Sequence, residues 1–414
     1  MMTRRTVLGR GTGLAVLAGL LLGAPAAAVS YGRVGFTKMA VDDCADMFGT
    51  CEWKLTCRIG GGAETEIFSA KEGTVAQDIA INKSFELKSF PAKVECSLFE
   101  DDGWFSESWK DAGKASLDLQ VGGDYALNIK SDQGVVSIAA VADSFEMPDD
   151  LAGIVAPAQP AKGKKPAAAA RQFVGGYLRD AAGHGVVLGL PWDAFKARVD
   201  AYAAQGVKVV KMEHWEAGGK RLWGGIFRSL EGKQELVPGL EYKPPFAQWK
   251  KLHDEGMRVA DIEVYTEGNK FVFVGAFQEG VDDDMVWLGD LNPFIDEWSH
   301  LSGGGLRLVD LEILQASGKW QRVGAFRGGS GSYGIFNALT WAELQEKWKR
   351  KEGEGRTSIT DIESYNDGGT RRWDLAMGGG QGKMTQLLDA AAFAKDWNDR
   401  LAQGFRLTAI ETVP

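Results

Sequence analysis

The chain has 414 residues, 44% hydrophobic and 25% charged, with a net charge of −9 at pH 7. That profile fits a globular protein of about two to three domains. The acidic balance argues against nucleic acid as a partner, because that binding needs clustered Lys and Arg. It also argues against electrostatic docking on an anionic membrane.

Residues 1–28 read as an export signal. Arg4 and Arg5 form a charged start, Leu14 to Leu22 an apolar core, and Ala26, Ala27 and Ala28 a small-residue cleavage site. Thr3-Arg-Arg-Thr-Val-Leu8 also fits a twin-arginine signal, the alternative being a general secretory one. Removal of this segment takes Arg4, Arg5 and Arg10 with it and moves the net charge from −9 to −12. No later stretch reaches the roughly 18 unbroken apolar residues of a membrane span. The expectation is an exported chain, periplasmic or secreted, without a transmembrane anchor.

Residues 29–146 show short alternating runs: Trp53 to Ile59, Phe85 to Leu87, Lys93 to Leu98, Ala115 to Leu119, Tyr125 to Ile129 and Val135 to Ile138. Turn residues separate them, which predicts an antiparallel β-sandwich. All four cysteines, Cys44, Cys51, Cys57 and Cys96, lie here. In an oxidising compartment they imply two disulfides of undetermined pairing. The spacing lacks the Cys-x2-Cys knuckle of a zinc site. Glu100, Asp101 and Asp102 end one run, and the Asp-rich turn holding Asp42, Asp43 and Asp46 precedes another. Two acidic loops offer the oxygens that calcium needs, and the opposing reading is a solvated turn. On these residues the segment resembles the calcium- and lipid-binding sandwich of protein kinase C and synaptotagmin. The resemblance implies calcium held by Asp46, Glu100, Asp101 and Asp102. Cys51 departs from it, falling where that family carries an aspartate.

Residues 147–170 change composition, with Pro157, Pro160 and Pro166 among alanines and Lys162, Lys164 and Lys165. They read as an extended tether.

Residues 171–414 contain a repeat. A helical stretch carries an aromatic stripe, and Trp249, Trp298, Trp348 and Trp397 step by 49, 50 and 49 residues. The three-to-four spacing of the stripe predicts a core-facing helix face. Gly206, Gly256, Gly305, Gly355 and Gly404 each end a helix as a left-handed stop. A strand follows, in which alternation places Val259, Asp261, Glu263 and Tyr265 on one face and Ala260, Ile262 and Val264 on the other. A turn and a second strand complete a hairpin, such as that ending Val274-Gly-Ala-Phe277. The small residues at its centre suggest a neighbouring backbone nearby. The fifth unit lacks its second strand at the C-terminus, and Phe173 to Tyr177 supplies the match from the other end. A unit split in this way closes a circular array and leaves no free sheet edge. The predicted fold is therefore mainly β with short helices: the sandwich plus a closed, β-propeller-like ring of five helix-plus-hairpin units, completed by residues 171–179. On its Trp-x-x-Leu, Asp-hydrophobe-Glu-x-Tyr and Val-Gly-Ala-Phe phrases the repeat resembles the bacterial tandem repeat found in the N-terminal part of polyglycine hydrolases. The resemblance implies a left-handed propeller. It implies no activity, because a separate serine-hydrolase domain carries the chemistry in those enzymes.

Ser-x-x-Lys, Gly-x-Ser-x-Gly and His-Glu-x-x-His are all missing from the chain. One polar position recurs in every unit: Glu213, Glu263, Glu312, Glu363 and Glu411. Asp261, Asp310 and Asp361 precede three of these. If this strand lines a ring centre, the carboxylates converge and could hold a cation or polar ligand. The opposing reading is ordinary pairing with Arg171, Arg221, Arg322 and Arg371 or Arg372 across the hairpins. Three functions follow. The first is an exported non-catalytic protein binding an extracellular ligand or protein, with Tyr265, Tyr365, Trp215 and the Asp282–Asp284 loop as places to look. The second is a hydrolase of an extracellular or envelope polymer using ring carboxylates. The third is calcium-dependent surface attachment through the sandwich.

Overall fold

A computed structural model describes residues 28–41, 53–70, 78–87, 90–101, 109–120, 123–131, 134–148, 171–240, 247–331 and 333–414. The fold is mainly β, with several sheets and five short helices. Eight strands precede residue 149: β1 (Ala28–Val41), β2 (Trp53–Ile59), β3 (Glu64–Ala70), β4 (Asp78–Leu87), β5 (Ala92–Asp101), β6 (Trp109–Leu119), β7 (Asp124–Ser131) and β8 (Gly134–Pro148). The sheet β3-β2-β5-β6 faces one containing β4, β1, β8 and β7. Between them lie Val34, Phe36, Met39, Trp53, Leu55, Leu98 and Ile138. This is the expected sandwich, with β1 and β3 as strands that the alternation did not mark. Cys57 and Cys96 sit opposite each other on β2 and β5 and form a disulfide. Cys44 and Cys51 lie outside the described residues, as do Asp46, Asp102 and the tether from residue 149.

The repeat follows in chain order: β9 (Gln172–Arg179), β10 (His184–Leu190), α1 (Trp192–Ala203), β11 (Val207–Ala217), β12 (Lys220–Ser229), β13 (Gln234–Leu240), α2 (Ala247–Asp254), β14 (Met257–Glu267), β15 (Lys270–Glu279), β16 (Asp284–Asp290), α3 (Leu291–Gly303), β17 (Leu306–Ala316), β18 (Lys319–Gly328), β19 (Gly334–Leu339), α4 (Trp341–Glu354), β20 (Thr357–Asp367), β21 (Thr370–Gly379), β22 (Gly382–Met384), α5 (Ala390–Ala402) and β23 (Phe405–Val413). Each hairpin carries a third strand on its outer side, giving β10-β12-β11, β13-β15-β14, β16-β18-β17, β19-β21-β20 and β22-β9-β23. The hairpin expectation missed these outer strands, which are short, three to seven residues, and in three cases interrupted by Gly or Pro. Residues 172–179 do complete the last unit, pairing with β23 from Phe405 to Val413. The five helix-ending glycines all have φ between 66° and 94°, as expected of left-handed stops.

The inner strands β11, β14, β17, β20 and β23 neighbour one another in sequence order, and β23 also neighbours β11. Five core clusters bridge consecutive units. Phe195 and Val209 pack with Val274, Val259 with Val323, Leu311 with Ala376, Ile362 with Val413, and Leu407 with Trp215.

Simple alternation along the inner strand fails for a physical reason. Each inner strand has a β-bulge at the same place: Val209/Lys211, Val259/Asp261, Leu308/Asp310, Ile359/Asp361 and Leu407/Ala409. The extra residue shifts the parity. Val259 therefore shares the apolar face with Ile262 and Val264, while Asp261 and Glu263 turn the other way. The small residues of the middle strand also face side chains more than backbone. A Cβ at Gly275 would meet Phe277 at 2.5 Å, and one at Gly176 would meet Ile359 at 2.6 Å.

The sandwich and the first repeat unit share a sheet. One edge of β8 pairs with β7 through its first half and with β10, in parallel, at Ser144 to Glu146. Phe145 packs on Trp397 at 5.2 Å between ring centroids.

Candidate functional site

The bulge turns two positions, two residues apart on each inner strand and polar in all but Ala409, toward the strands of the neighbouring units. The first holds Lys211, Asp261, Asp310, Asp361 and Ala409 in units one to five. Asp261 Oδ2 accepts from the backbone N–H of Met212 at 2.9 Å, Asp310 Oδ2 from Ile262 at 2.8 Å, and Asp361 Oδ2 from Leu311 at 2.6 Å. Each aspartate thus ties its own strand to the strand one unit earlier. Lys211 Nζ lies 2.6 Å from Asp310, 2.9 Å from Asp361 and 3.5 Å from Asp261, and all four side chains are buried.

Burial pushes the Asp261, Asp310 and Asp361 carboxyls up to about 7. Lys211 opposes the rise, and neighbouring carboxyls add to it: Glu263 and Asp361 at Asp261, Asp261 at Asp310, and Asp310 at Asp361. Burial lowers Lys211, but Asp310, Asp361 and Asp261 outweigh it and hold the ammonium well above its ordinary value.

The second position holds the five glutamates. Glu263 Oε2 lies 2.6 Å from His214 Nδ1. Glu312 accepts from the Val264 N–H at 3.3 Å. Glu411 accepts from Ser364 and from its neighbour Thr412 N–H, and Glu213 lies 3.4 Å from the Thr412 hydroxyl. Glu213, Glu363 and Glu411 offer oxygens within 4.8 Å of one another. Burial first, then the neighbouring carboxylates, raises Glu213, Glu263, Glu312 and Glu363 well above the ordinary range. Glu411 rises to about 7 by burial, held back by Ser364 and the Thr412 N–H. His214 is lowered to about 4 by burial and then Arg221, so it meets Glu263 as a neutral imidazole.

The pairing of these glutamates with hairpin arginines is not what forms. Among the described residues none of the five makes an ion pair with an arginine. Arg171 donates to Thr412 at 2.9 Å and Arg371 to Ser364 at 2.8 Å. Arg221 meets Glu216, and Arg322 meets Asp374. Lys211, the partner of the three aspartates, was missed. Its signal was register: Val207-Lys-Val-Val-Lys-Met-Glu213 set beside Met257-Arg-Val-Ala-Asp-Ile-Glu263 puts a lysine at the aspartate position.

Beside His214 opens a groove of about 540 Å³ lined by Tyr265, Thr266, Gln315, Trp320 and Arg221. Arg221 stacks on Tyr265 at 3.6 Å. None of the five glutamates lines it. Of the other expected contact residues, Trp215 is in the core. Tyr365 is bound by Arg322 at 2.9 Å. Asp282 pairs with Arg327, while Asp284 is buried and accepts from Trp249 and the Val259 N–H. Glu100 and Asp101 lie on β5, and their side chains are outside the description.

A second buried polar group was not legible at all. Asp143 of β8 lies 3.1 Å from His184 Nδ1 and accepts from Arg406 at 3.2 Å. Trp397 Nε1 donates to His184 Nε2 at 2.9 Å. Burial lowers His184 to about 4. The Asp–His pair has the shape of a catalytic dyad, but the indole occupies the nitrogen that would take a nucleophile's proton. It joins β8, β10 and α5.

No family model and no curated protein matches the chain. Solved structures similar to it include the first C2 domain of a plant extended synaptotagmin 1 (11% identity, 29% of this chain, 95% of that one, TM-score 0.22). The paired C2 domains of extended synaptotagmin 2 match at 13% identity over 68% of this chain and all of that one, with a TM-score of 0.20. Human GIVD cytosolic phospholipase A2 matches at 9% identity over 80% of this chain and 37% of that one, with a TM-score of 0.22. The C2 domains among these are sandwiches of the class that the N-terminal strands resemble; at such TM-scores the likeness carries no argument about function.

Proposed function

We propose that this chain is an exported, non-catalytic binding protein. Its residues 171–414 form a closed, propeller-like ring that presents the groove at Tyr265 and Trp320 to an extracellular ligand. The observation that carries this reading is how the central carboxylates are used. Asp261, Asp310 and Asp361 bond neighbouring backbone and Lys211, so the polar centre holds the units together. The groove, by contrast, combines partly exposed aromatic faces with the polar tips of Gln315 and Thr266. That mixture suits a polar ligand with apolar faces. The test is a glycan and peptide array probed with the wild type, Tyr265→Ala, Trp320→Ala and Glu312→Gln. Ligand capture lost in the two groove variants and kept in Glu312→Gln supports the reading. Equal capture by all four defeats it.

A second reading is a carboxylate hydrolase, favoured by the approach of Glu213, Glu363 and Glu411 to within 4.8 Å. It requires Glu213→Gln to abolish turnover of a polymer the wild type cleaves. Calcium-dependent attachment through the sandwich rests on sequence, and a chelator that leaves melting and binding unchanged removes it.

A further inference from the structure

The cleft between the sandwich and the last repeat unit carries chemistry that neither reading uses. It has a volume of about 420 Å³ and brings together Arg33, Lys83, Asp143, Arg179, Asp180 and Arg406. Arg33 comes from β1, Lys83 from β4, Arg179 from β9 and Arg406 from β23. The two carboxylates are already taken: Asp143 by Arg406 and His184, Asp180 by Arg228 at 3.1 Å. Three cations are not. Arg33 donates to Ser84, Lys83 to the Glu66 carbonyl, and Arg179 to Gln381 at 2.6 Å. None of these partners is charged, and none of the three cations has an ion pair among the described residues.

Arg179 also stacks on Phe405 at 4.6 Å, and among the described residues each guanidinium keeps N–H donors without a protein acceptor. A chain with a net charge of −9 gathers unpaired cations from three separate strands around one recess. Side-chain donors in fork geometry on a half-enclosed wall are suited to oxygens that share a negative charge.

We propose that this cleft binds a multivalent oxyanion, phosphoryl or carboxyl, which bridges Arg33 and Lys83 of the sandwich to Arg179 of the repeat. The site is separate from the groove at Tyr265, and its ligand would couple the two parts of the chain.

The test is calorimetric titration of the full mature chain with pyrophosphate and with citrate at matched ionic strength, with chloride as the reference. Saturable binding of either probe at millimolar concentration or tighter supports the site, and the stronger of the two names the source of the oxygens. Lys83→Gln with Arg179→Gln should weaken that binding about tenfold or more, the scale of one lost charge-assisted contact. Tyr265→Ala should leave it unchanged, which separates this proposal from the binding reading of the groove. Lys196→Gln, a remote exposed position paired with Asp200, should also leave it unchanged. If the double variant does not fold, Lys83→Gln alone decides, because its side chain is exposed and bonds only a carbonyl. No saturation by either probe overturns the proposal, and so does wild-type affinity in the cleft variants.

Discussion

Lys211 Nζ lies 2.6 Å from Asp310 Oδ1, across two repeat units, with both side chains buried. This lysine is the only cation at a position where units two, three and four carry aspartate. Without it three carboxyls would face one another in a low-dielectric space, where removing one partner of a buried ionic group costs several kcal/mol. Lys211→Met should therefore destabilise the repeat by about 3 to 5 kcal/mol, measured by urea unfolding. Adding Asp310→Asn should restore part of that loss, because the second change removes a charge left unpaired. A double-mutant cycle with no coupling would disprove the arrangement.

The same carboxyls set the response to pH. Asp261, Asp310 and Asp361 stand at about 7 in the folded chain, and the ordinary unfolded value is about 3.9. Between these values the folded state holds protons that the unfolded state has released. Their contribution is present at low pH and is lost as pH rises through about 7. The glutamates are shifted in the same direction. Because the like charges interact, the groups do not titrate independently, and one effective proton, or about 1.4 kcal/mol per pH unit, is the expected slope. Melting of residues 171–414 should fall from pH 5.5 to pH 7.5, a window about these values. Glu213→Gln with Glu363→Gln should flatten the curve. A rising melting temperature over that window would contradict the buried cage.

The Cys57–Cys96 bond closes a loop with a sequence separation of 39. Chain entropy assigns such a loop about 4 kcal/mol. Cys57→Ser with Cys96→Ser should lower sandwich stability by roughly that amount, read from the Trp53 fluorescence transition. Trp53 is buried on β2, in the same core as the disulfide. An unchanged transition would mean that packing of β2 on β5 suffices alone.

The repeat was legible because its helix Trp and terminal Gly recur at a fixed step. The completion of unit five by residues 172–179 was legible because Phe173 to Tyr177 carries the second-strand phrase without a helix before it. The bulge was not, because its extra residue is Val210, Ala260, Val309, Thr360 or Thr408, and no shared residue type marks it. That one residue decides which face Val259 takes. The carboxylates were found by periodicity, but their partners were not: His214, which meets Glu263, and Lys211, which meets the three aspartates, break the repeat in unit one, and a search for sameness passes over them. Asp143, His184 and Trp397 are far apart in sequence, and nothing local in any of them signals the other two.

Those three residues give a test of how the sandwich is held. Trp397 Nε1 donates to His184 Nε2, so His184 Nδ1–H must donate to Asp143. His184 is held near 4, below the ordinary value of about 6.5. A group lowered in this way stabilises the fold above its unfolded value and loses that contribution as pH falls toward its folded value. The joint between β8 and β10 should therefore weaken between about pH 6.5 and pH 4, the direction opposite to that of the carboxyl cage. Trp397→Phe keeps the ring volume near Phe145 but removes the donor. It should cost about 1 to 3 kcal/mol, that of leaving a buried acceptor unsatisfied. Protection from hydrogen exchange at Gly185 to Val187, the residues of β10 paired to β8, taken relative to the intrinsic rate at the same pH, should fall in Trp397→Phe and in the wild type at pH 5. Exchange at Val259 to Val264 of β14 should not respond to Trp397→Phe. If both segments loosen together, the joint is not a separate unit and the two parts of the chain unfold as one.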